Sequence, residues 1–149
     1  MTINPELQGR SYRLGDVYSV GRESIRDFAR AVKASHPAHF QPEAAQALGY
    51  ADLLAPPTYA IIVAQRADAL LINDAESGID FSRVVHAEQR FTHHRPIVAG
   101  DELVAELHVD GVRGRGGGAM ITTRAEISTP SGEAVATTVS AILVRGEGQ

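Results

Sequence analysis

The chain has 149 residues, of which 44% are hydrophobic and 21% charged, and a formal net charge of −4 at pH 7; this size and composition predict one globular domain. The absence of cysteine excludes disulfides, thiolate metal sites and cysteine nucleophiles, and the lack of a basic cluster argues against nucleic acid as a partner. No apolar run reaches membrane-spanning length and no signal-peptide pattern is present, so we expect a cytoplasmic protein without a membrane partner.

The first third of the chain predicts one strand and two helices. Residues 11–20 suit a short strand that is interrupted at Gly15-Asp16. From Arg22 to Lys33 apolar residues recur at helical spacing, and a following proline ends this helix. A shorter helix is predicted from Pro42 to Leu48, with proline near its start and glycine just beyond its end. The apolar stripe of the first helix comprises Ile25, Phe28, Ala29 and Val32.

The segment from Pro56 to Leu71 is predicted to form a longer helix at the centre of the fold. Its first turns, from Tyr59 to Ala64, are apolar on every side. A helix without a polar face has to be enclosed by other elements rather than laid on a surface. This is the most informative secondary-structure pattern in the chain.

The second half of the chain predicts a run of strands. Apolar and polar residues alternate over 103–109 and over 119–127, as in half-buried strands. An earlier strand is predicted over residues 83–92, and the small apolar stretch 135–144 is expected to lie centrally in the sheet. The residues from Gly111 to Gly118 are interpreted as a glycine-rich connection.

An enclosed helix followed by antiparallel strands predicts an α+β fold in which a curved sheet wraps around the helix. One such sheet leaves a long exposed edge. Pairing with a second sheet would cover that edge, so we expect a dimer.

Several segments resemble a known family: Ile25–Ala29, Ala34–Phe40, Ala47–Tyr50, Leu54–Thr58 and Gln89–Asp101. They are similar to the MaoC-like hydratases and dehydratases, and closest to the actinobacterial FAS1-like branch with subunits of the (3R)-hydroxyacyl-ACP dehydratase. The resemblance implies a hotdog fold over the single domain 1–149, with an ordered core of about residues 10–145. It also implies fatty-acid metabolism, an acyl-CoA or acyl-ACP thioester as ligand, a homodimer or a heterodimer with another hotdog subunit, and neither cofactor nor metal.

The hydratase motif of this family reads Asp-x-Asn-Pro-x-His, often with a further acidic residue two places on. Laid on this sequence, His39 takes the position of the catalytic histidine and Pro37 that of the proline. His36 replaces the asparagine, and Gln41 replaces the later acid. Ala34 stands where the catalytic aspartate belongs, so the dyad is incomplete.

Dehydration of a 3-hydroxyacyl thioester removes a C2 proton and expels the C3 hydroxyl, with a histidine as base and an acid or bound water assisting. The resemblance implies His39 as the base; the alternative is a structural histidine in a loop. His36 is a weaker candidate for the acid, and a loop residue filling the asparagine's place is the favoured interpretation. Ala34 can transfer no proton through its side chain, and Asp27 is a poor replacement because it lies off the apolar stripe of its helix.

The resemblance also implies that backbone amides at the start of the central helix stabilise the charge that builds on the thioester oxygen. Active members tend to have glycine where this chain has Pro57, which has no N–H. The amides of Thr58 or Tyr59 would have to serve instead. The predicted substrate-binding residues are therefore Pro57, Thr58, Tyr59 and Ile62, with plain core packing as the alternative for Tyr59 and Ile62.

Two further groups invite a functional interpretation. His93 and His94 are adjacent, but neighbouring strand residues point to opposite faces, so we expect strand-end residues rather than a metal site. Arg113 and Arg115 suggest contact with the phosphates of a carrier or of coenzyme A. Solvated arginines are the commoner case, and no phosphate-binding motif is present.

Three functional hypotheses remain open. The first is a dehydratase or hydratase that uses His39 with an unusual or partner-supplied acid. The second is a non-catalytic acyl-binding subunit that pairs with a catalytic hotdog protein, and the third is a thioester-binding homodimer acting alone. The residues narrowly favour dehydratase-family function.

Overall fold

The computed structural model describes residues 3–146, except for the side chain of Arg115. The helices in this range are α1 (Arg22–Ala31), α2 (Pro42–Ala47) and α3 (Ile61–Ile72). The strands are β1 (Ser11–Arg13), β2 (Tyr18–Ser19), β3 (Val84–His93), β4 (Glu102–Arg115), β5 (Gly118–Ser128) and β6 (Ala134–Val144). Short 3-10 turns lie at Pro5–Leu7, Pro37–His39 and Phe81–Arg83.

The strands form one antiparallel sheet in the order β1-β4-β5-β6-β3, and β2 also pairs with β4. Buried and partly exposed residues alternate along β5 and β6. Their buried face is turned toward α3, which packs across β4 and β5. The predicted sheet around a helix is confirmed, as is the interior position of the last strand. The outer side of β3 pairs with no other strand of the described chain.

The central helix begins later than the sequence pattern predicts. The amides of Tyr59 and Ile61 bond to carbonyls three residues back, on Pro56 and Thr58, so residues 56–60 form tight turns before α3. The apolar segment itself is enclosed: Tyr59 is 0% exposed and Val63 is fully buried. The core of the molecule therefore forms around the start of this helix.

The glycine-rich segment does not form the long connection expected from Gly111 to Gly118. Strands β4 and β5 continue through it and are joined by a two-residue hairpin at Gly116-Gly117, whose φ angles of 55° and 85° are both positive. Glycine is the residue that adopts such angles without strain. A Cβ on Gly118 would lie 2.0 Å from the carbonyl oxygen of Val144, so glycine there allows the hairpin to lie against β6.

Helix α1 ends two residues before the predicted Lys33, in a Schellman motif. The amide of Ala34 donates to the carbonyl of Ala29 and that of Lys33 to Arg30, while Lys33 takes a φ of 61°. Glycine is usual at this position because a Cβ is crowded in the left-handed region. The motif fixes the backbone at Ala34.

Replacing Lys33 with glycine is expected to raise the free energy of unfolding by roughly 0.5–1 kcal/mol, because it relieves the left-handed strain at a smaller entropic cost. Thermal unfolding followed by circular dichroism measures the change. Lys33→Ala keeps the Cβ and serves as the matched control, with a Tm close to that of the parent. A Tm lowered by Lys33→Gly would show that the strain is absent.

One acidic side chain of α3 is turned toward the sheet. The carboxyl of Asp68 accepts a hydrogen bond from the Thr123 hydroxyl at 2.9 Å. Burial raises the pKa of Asp68 above its ordinary value of 3.8, and the hydrogen bond from Thr123 and the nearby His86 only partly oppose this. The folded state therefore holds this proton more tightly than the unfolded state does.

Because of this raised pKa, the parent loses stability as the pH rises from about 4 through the folded pKa of Asp68, where the carboxyl ionises. Asp68→Asn accepts the same hydrogen bond without ionising. It is expected to be more stable than the parent at pH 8 by on the order of 1 kcal/mol, and to lose that advantage near pH 4. Urea unfolding at the two pH values measures the difference. An advantage that is larger at pH 4 would contradict the raised pKa.

Candidate functional site

A cleft of about 600 Å³ lies beside the turn that carries His39. Its walls come from this turn, from the end of α2, from the segment before α3 and from the residues that follow β3. The lining consists of His36, His39, Leu48, Tyr50, Leu54, Ala55, Pro56, Pro57, His93, His94, Arg95, Pro96 and Ile97. Most of these side chains are apolar or aromatic, and the polar groups are mainly imidazoles.

Backbone hydrogen bonds hold the walls together. The amide of Leu54 donates to the carbonyl of Ala38 at 2.9 Å, which ties the segment before α3 to the histidine turn. The amide of Ala55 donates to Ile97 at 2.9 Å, next to an isolated bridge between Leu54 and Val98. Three segments that are far apart in sequence therefore meet at one cleft.

A hydrogen bond to the backbone fixes the tautomer of His39. Its ring is 8% exposed, and its Nδ1 lies 2.6 Å from the carbonyl oxygen of Leu54. A carbonyl only accepts, so Nδ1 carries the hydrogen and donates it. In the neutral ring, Nε2 then has a free lone pair. This is the form that a general base requires.

The tautomer of His36 is the opposite of that of His39. Its Nδ1 accepts a hydrogen bond from the amide of Ala38 at 3.0 Å, at the start of the 3-10 turn. The neutral ring therefore carries its hydrogen on Nε2 and presents a donor. The rings of His36 and His39 lie 6.2 Å apart at an angle of 72°. The cleft thus holds one imidazole that accepts and one that donates.

No carboxylate is present among the described residues that line the cleft. Ala34 does not line it either and is fixed by the end of α1. Asp27 is exposed on α1 and pairs with Arg30 at 3.3 Å, so it is a surface residue as the sequence suggested. Within residues 3–146, no acidic side chain takes the place of the missing aspartate at the cleft.

The predicted substrate-binding residues divide into two groups. Pro57 lines the cleft, whereas Thr58, Tyr59 and Ile62 do not. Tyr59 is buried in the core, and its hydroxyl lies 2.7 Å from that of Ser24 and 3.0 Å from that of Tyr18. Ile62 packs against the core. For these two residues the structure favours the core-packing alternative.

The start of α3 offers one of the two amides that the sequence suggested as donors. The amide of Tyr59 is used by the carbonyl of Pro56 at 3.0 Å. Thr58 is exposed, and its amide donates to no group in the described part of the chain. Thr58 is therefore the amide of this pair that remains for a ligand carbonyl.

His93 is the last residue of β3 and His94 follows it in a bend, and both also line the cleft. The ring of His93 stacks on Phe91 at 6.2 Å, and Nε2 of His94 lies 3.0 Å from the hydroxyl of Thr137. Next to them, Arg95 pairs with both oxygens of Asp101 at 2.9 and 3.1 Å. Within residues 3–146 no cluster of histidine and acidic residues could hold a metal ion.

The two arginines considered for phosphate contact lie near the β4–β5 hairpin. Arg113 is an exposed residue of β4. The side chain of Arg115 falls outside the described part of the chain. Arg113 does not line the histidine cleft.

Comparison with known proteins assigns the chain to a family. A model of the FAS1-like dehydratase domain region matches residues 6–138. A UPF0336 protein of Clavibacter michiganensis subsp. michiganensis is 50% identical over 147 residues, which is 99% of both chains. This chain belongs to the MaoC-like hotdog family.

Solved structures agree with this assignment. A chain of the HadBC (3R-hydroxyacyl-ACP dehydratase) complex from Mycobacterium tuberculosis has a TM-score of 0.84 and 37% identity, over 92% of this chain and 96% of that one. A protein described as a MaoC-like dehydratase has a TM-score of 0.85 and 32% identity, over 94% of this chain and 42% of that one. The MaoC-like chain thus corresponds to less than half of that second protein. The fold is the hotdog fold.

Several cleft residues of this MaoC-like chain are not singled out by its sequence, among them Leu48, Tyr50, Leu54 and Ile97. They lie in segments that carry the family resemblance, and the sequence gives no sign that these segments meet. Leu48 offers a partial signal in the sequence, because it is a large apolar residue at the predicted end of a helix. In the structure this residue is 57% exposed.

Every helix within residues 3–146 of the MaoC-like chain is too short or too polar to cross a membrane.

Proposed function

We propose that this chain acts in the dehydration of (3R)-hydroxyacyl thioesters, or in the reverse hydration of enoyl thioesters, with His39 as the base. The observation that carries the proposal is the bond from Nδ1 of His39 to Leu54, which leaves Nε2 free to accept a proton in a largely apolar cleft. Similarity to a chain of a (3R)-hydroxyacyl-ACP dehydratase complex supports the same reaction class. The proposed setting is cytoplasmic fatty-acid metabolism, with an acyl-CoA or acyl-ACP as substrate and no cofactor.

In this mechanism, Nε2 of His39 takes the C2 proton of the bound thioester, and the electron pair left on C2 forms the C2–C3 double bond as the C3 hydroxyl departs. The departing hydroxyl has to receive a proton to leave as water. We propose that the amide of Thr58, next to the cleft-lining Pro57, donates to the thioester oxygen while charge builds there.

His36 is a poor source of the proton that the hydroxyl needs. While Nδ1 of His36 accepts from Ala38, loss of the Nε2 hydrogen would create an imidazolate anion. The ring therefore hydrogen-bonds the hydroxyl without protonating it. His39 would have to return the proton that it took, or a second chain would have to supply an acid.

The missing acid favours a second candidate function, an acyl-binding subunit that pairs with a catalytic hotdog protein. Without an acid, the isolated chain is expected to be about 100- to 10,000-fold slower than a complete enzyme. The similar M. tuberculosis chain comes from a complex. The unpaired outer side of β3 supplies an edge at which a second sheet can add.

A third candidate, a homodimer that binds thioesters without turnover, uses the same cleft and the same edge. The three candidates differ in what the chain does alone and with a partner. They are separated by one set of assays.

The purified chain is assayed for hydration of crotonyl-CoA and of longer enoyl thioesters, alone and co-expressed with a small hotdog protein that has an intact Asp-x-Asn-Pro-x-His motif. Turnover by the chain alone supports the first candidate. Turnover only with the partner, at a rate above that of the partner alone, supports the second. Saturable binding of a thioester without turnover in either case leaves the third, and no binding in either case would overturn the assignment of the cleft.

A further inference from the structure

The imidazole of His94 belongs to a different wall of the histidine cleft from that of His39. The backbone of His94 is tied to the last strand, because its amide donates to the carbonyl of Val135 at 2.9 Å. Its ring is held by the same strand, since Nε2 lies 3.0 Å from the hydroxyl oxygen of Thr137. Strand β6 therefore fixes both the backbone and the ring of this cleft residue.

The hydroxyl of Thr137 determines which nitrogen of His94 carries the hydrogen. This hydroxyl donates its own hydrogen to Oε2 of Glu126, on the adjacent strand β5, at 2.8 Å. Burial opposes ionisation of Glu126, but hydrogen bonds from Arg124 and Thr137 hold the pKa of this carboxyl below its ordinary value of 4.5. The carboxylate only accepts, so the Thr137 oxygen is left to accept from the imidazole. Nε2 of His94 is therefore the donor.

The relay of hydrogen bonds from His94 through Thr137 to Glu126 leaves one nitrogen of the ring without a partner. Nδ1 of His94 bonds to no group within residues 3–146. A hydroxyl that donates to a carboxylate is itself a stronger acceptor, so Nε2 keeps its hydrogen whether the ring is neutral or charged. Any proton that His94 gains or loses is therefore carried by Nδ1.

This property separates His94 from His36. The neutral ring of His36 has its hydrogen on Nε2 and accepts from Ala38 at Nδ1, so giving that hydrogen away would create an anion. A charged His94 that gives away the Nδ1 proton becomes an ordinary neutral imidazole. Imidazoles exchange such a proton near neutral pH. Of these two rings, His94 is the one that can protonate a ligand.

Every bond of the His94–Thr137–Glu126 relay lies inside one chain. The three residues belong to the bend after β3 and to strands β6 and β5. The relay therefore does not depend on what pairs with the outer side of β3. Glu126 does not line the cleft itself, so its negative charge acts on the cleft only through the hydroxyl and the imidazole.

We propose that His94 is a second catalytic residue of this cleft and that its Nδ1 protonates the departing C3 hydroxyl, an assignment that rests on the proposed role of His39 as the base. His39 takes the C2 proton, the electron pair left on C2 forms the double bond, and the C3–O bond breaks with its electrons going to oxygen. The oxygen takes the Nδ1 proton and leaves as water. His94 is then neutral and His39 is charged, and proton exchange with water restores both rings.

Hydration of an enoyl thioester uses the same groups in reverse. Neutral His94 takes a proton from the attacking water at Nδ1 while the water oxygen bonds to C3. Charged His39 gives its Nε2 proton to C2. His94 thus stands in, in part, for the aspartate that Ala34 replaces.

The test compares two leaving groups. Hydroxide needs a proton to leave, whereas chloride does not, and both 3-hydroxybutyryl-CoA and 3-chlorobutyryl-CoA yield crotonyl-CoA. The assay uses the preparation that shows turnover, either the chain alone or its complex with a hotdog partner. We expect His94→Ala to lower kcat for the loss of water at least about tenfold and to leave the loss of chloride nearly unchanged. His39→Ala should slow both reactions, because both begin at the C2 proton.

Thr137→Val and Thr137→Ser are a matched pair that tests the relay. Valine has nearly the shape of threonine but no hydroxyl, so it should slow the loss of water and spare the loss of chloride. Serine keeps the hydroxyl and should restore the parent rate. KM should stay the same in both variants, since the relay acts on a proton and not on the body of the substrate.

Circular dichroism checks the fold of each variant. His94→Gln can keep the bond to Thr137 but cannot carry the proton, and it replaces His94→Ala if the latter does not fold. Equal slowing of both reactions by the folded His94 variant, or an unchanged loss of water, would overturn this proposal and leave His39 as the base. Unchanged rates in His39→Ala, or no turnover in either preparation, would overturn the proposed function and this proposal together.

Discussion

Replacing Ala34 with aspartate is expected to raise the rate at which the chain hydrates crotonyl-CoA by about 100-fold or more, the usual contribution of one general acid or base. Ala34 occupies the aspartate position of the motif, and the Schellman motif that ends α1 fixes its backbone. His36 and His39 are among the five residues that follow Ala34. An added carboxyl therefore belongs to the same loop as both imidazoles. Initial rates with crotonyl-CoA at pH 7 measure the effect.

Ala34→Asn is the matched control for this gain. It has nearly the same size and shape as aspartate but cannot transfer a proton, so its rate should stay near that of the parent. An Ala34→Asp protein that folds normally and shows an unchanged rate would mean that the motif has been placed wrongly on this sequence.

Removing the imidazole of His39 is expected to lower turnover by at least about 100-fold, because the bond from its Nδ1 to Leu54 makes its Nε2 the proposed proton acceptor. The loss in His39→Ala should lie mainly in kcat, since the base acts on the proton and not on the body of the substrate. The assay uses the preparation that shows turnover, either the chain alone or its complex with a hotdog partner.

His108→Ala is a suitable control for the His39 variant. His108 lies on β4, away from the cleft, where its imidazole is 3.2 Å from a Glu106 oxygen. Its loss should leave the rate unchanged. Full turnover by a complex that contains folded His39→Ala protein would remove His39 from the mechanism and assign this chain the acyl-binding role.

The sequence predicts the fold well because its strongest patterns are local. The alternation along β5 and the all-apolar turns from Tyr59 to Ala64 each determine which face is buried, and the structure follows both. The glycine-rich hairpin was misread because glycine serves equally in long connections and in two-residue turns. The difference depends on the pairing of β4 with β5, which is not a local property.

The candidate site was harder to predict because it depends on contacts between distant segments. The motif locates His39, but the tautomer of this residue follows from the carbonyl of Leu54, fifteen residues on. Tyr59 was placed near the ligand from its position at the helix start, whereas its hydroxyl bonds to Tyr18 and Ser24 instead.

The central claim is that a thioester binds in the histidine cleft with its C2 carbon next to the imidazole of His39. A crystal structure of the chain, alone or with its hotdog partner, with a bound 3-hydroxybutyryl-CoA tests this most directly. We predict that Nε2 of His39 lies within about 3.5 Å of C2, the distance that proton transfer requires, and that the thioester oxygen faces the amide of Thr58. A thioester bound elsewhere, or one whose C2 carbon is out of reach of His39, would contradict the account.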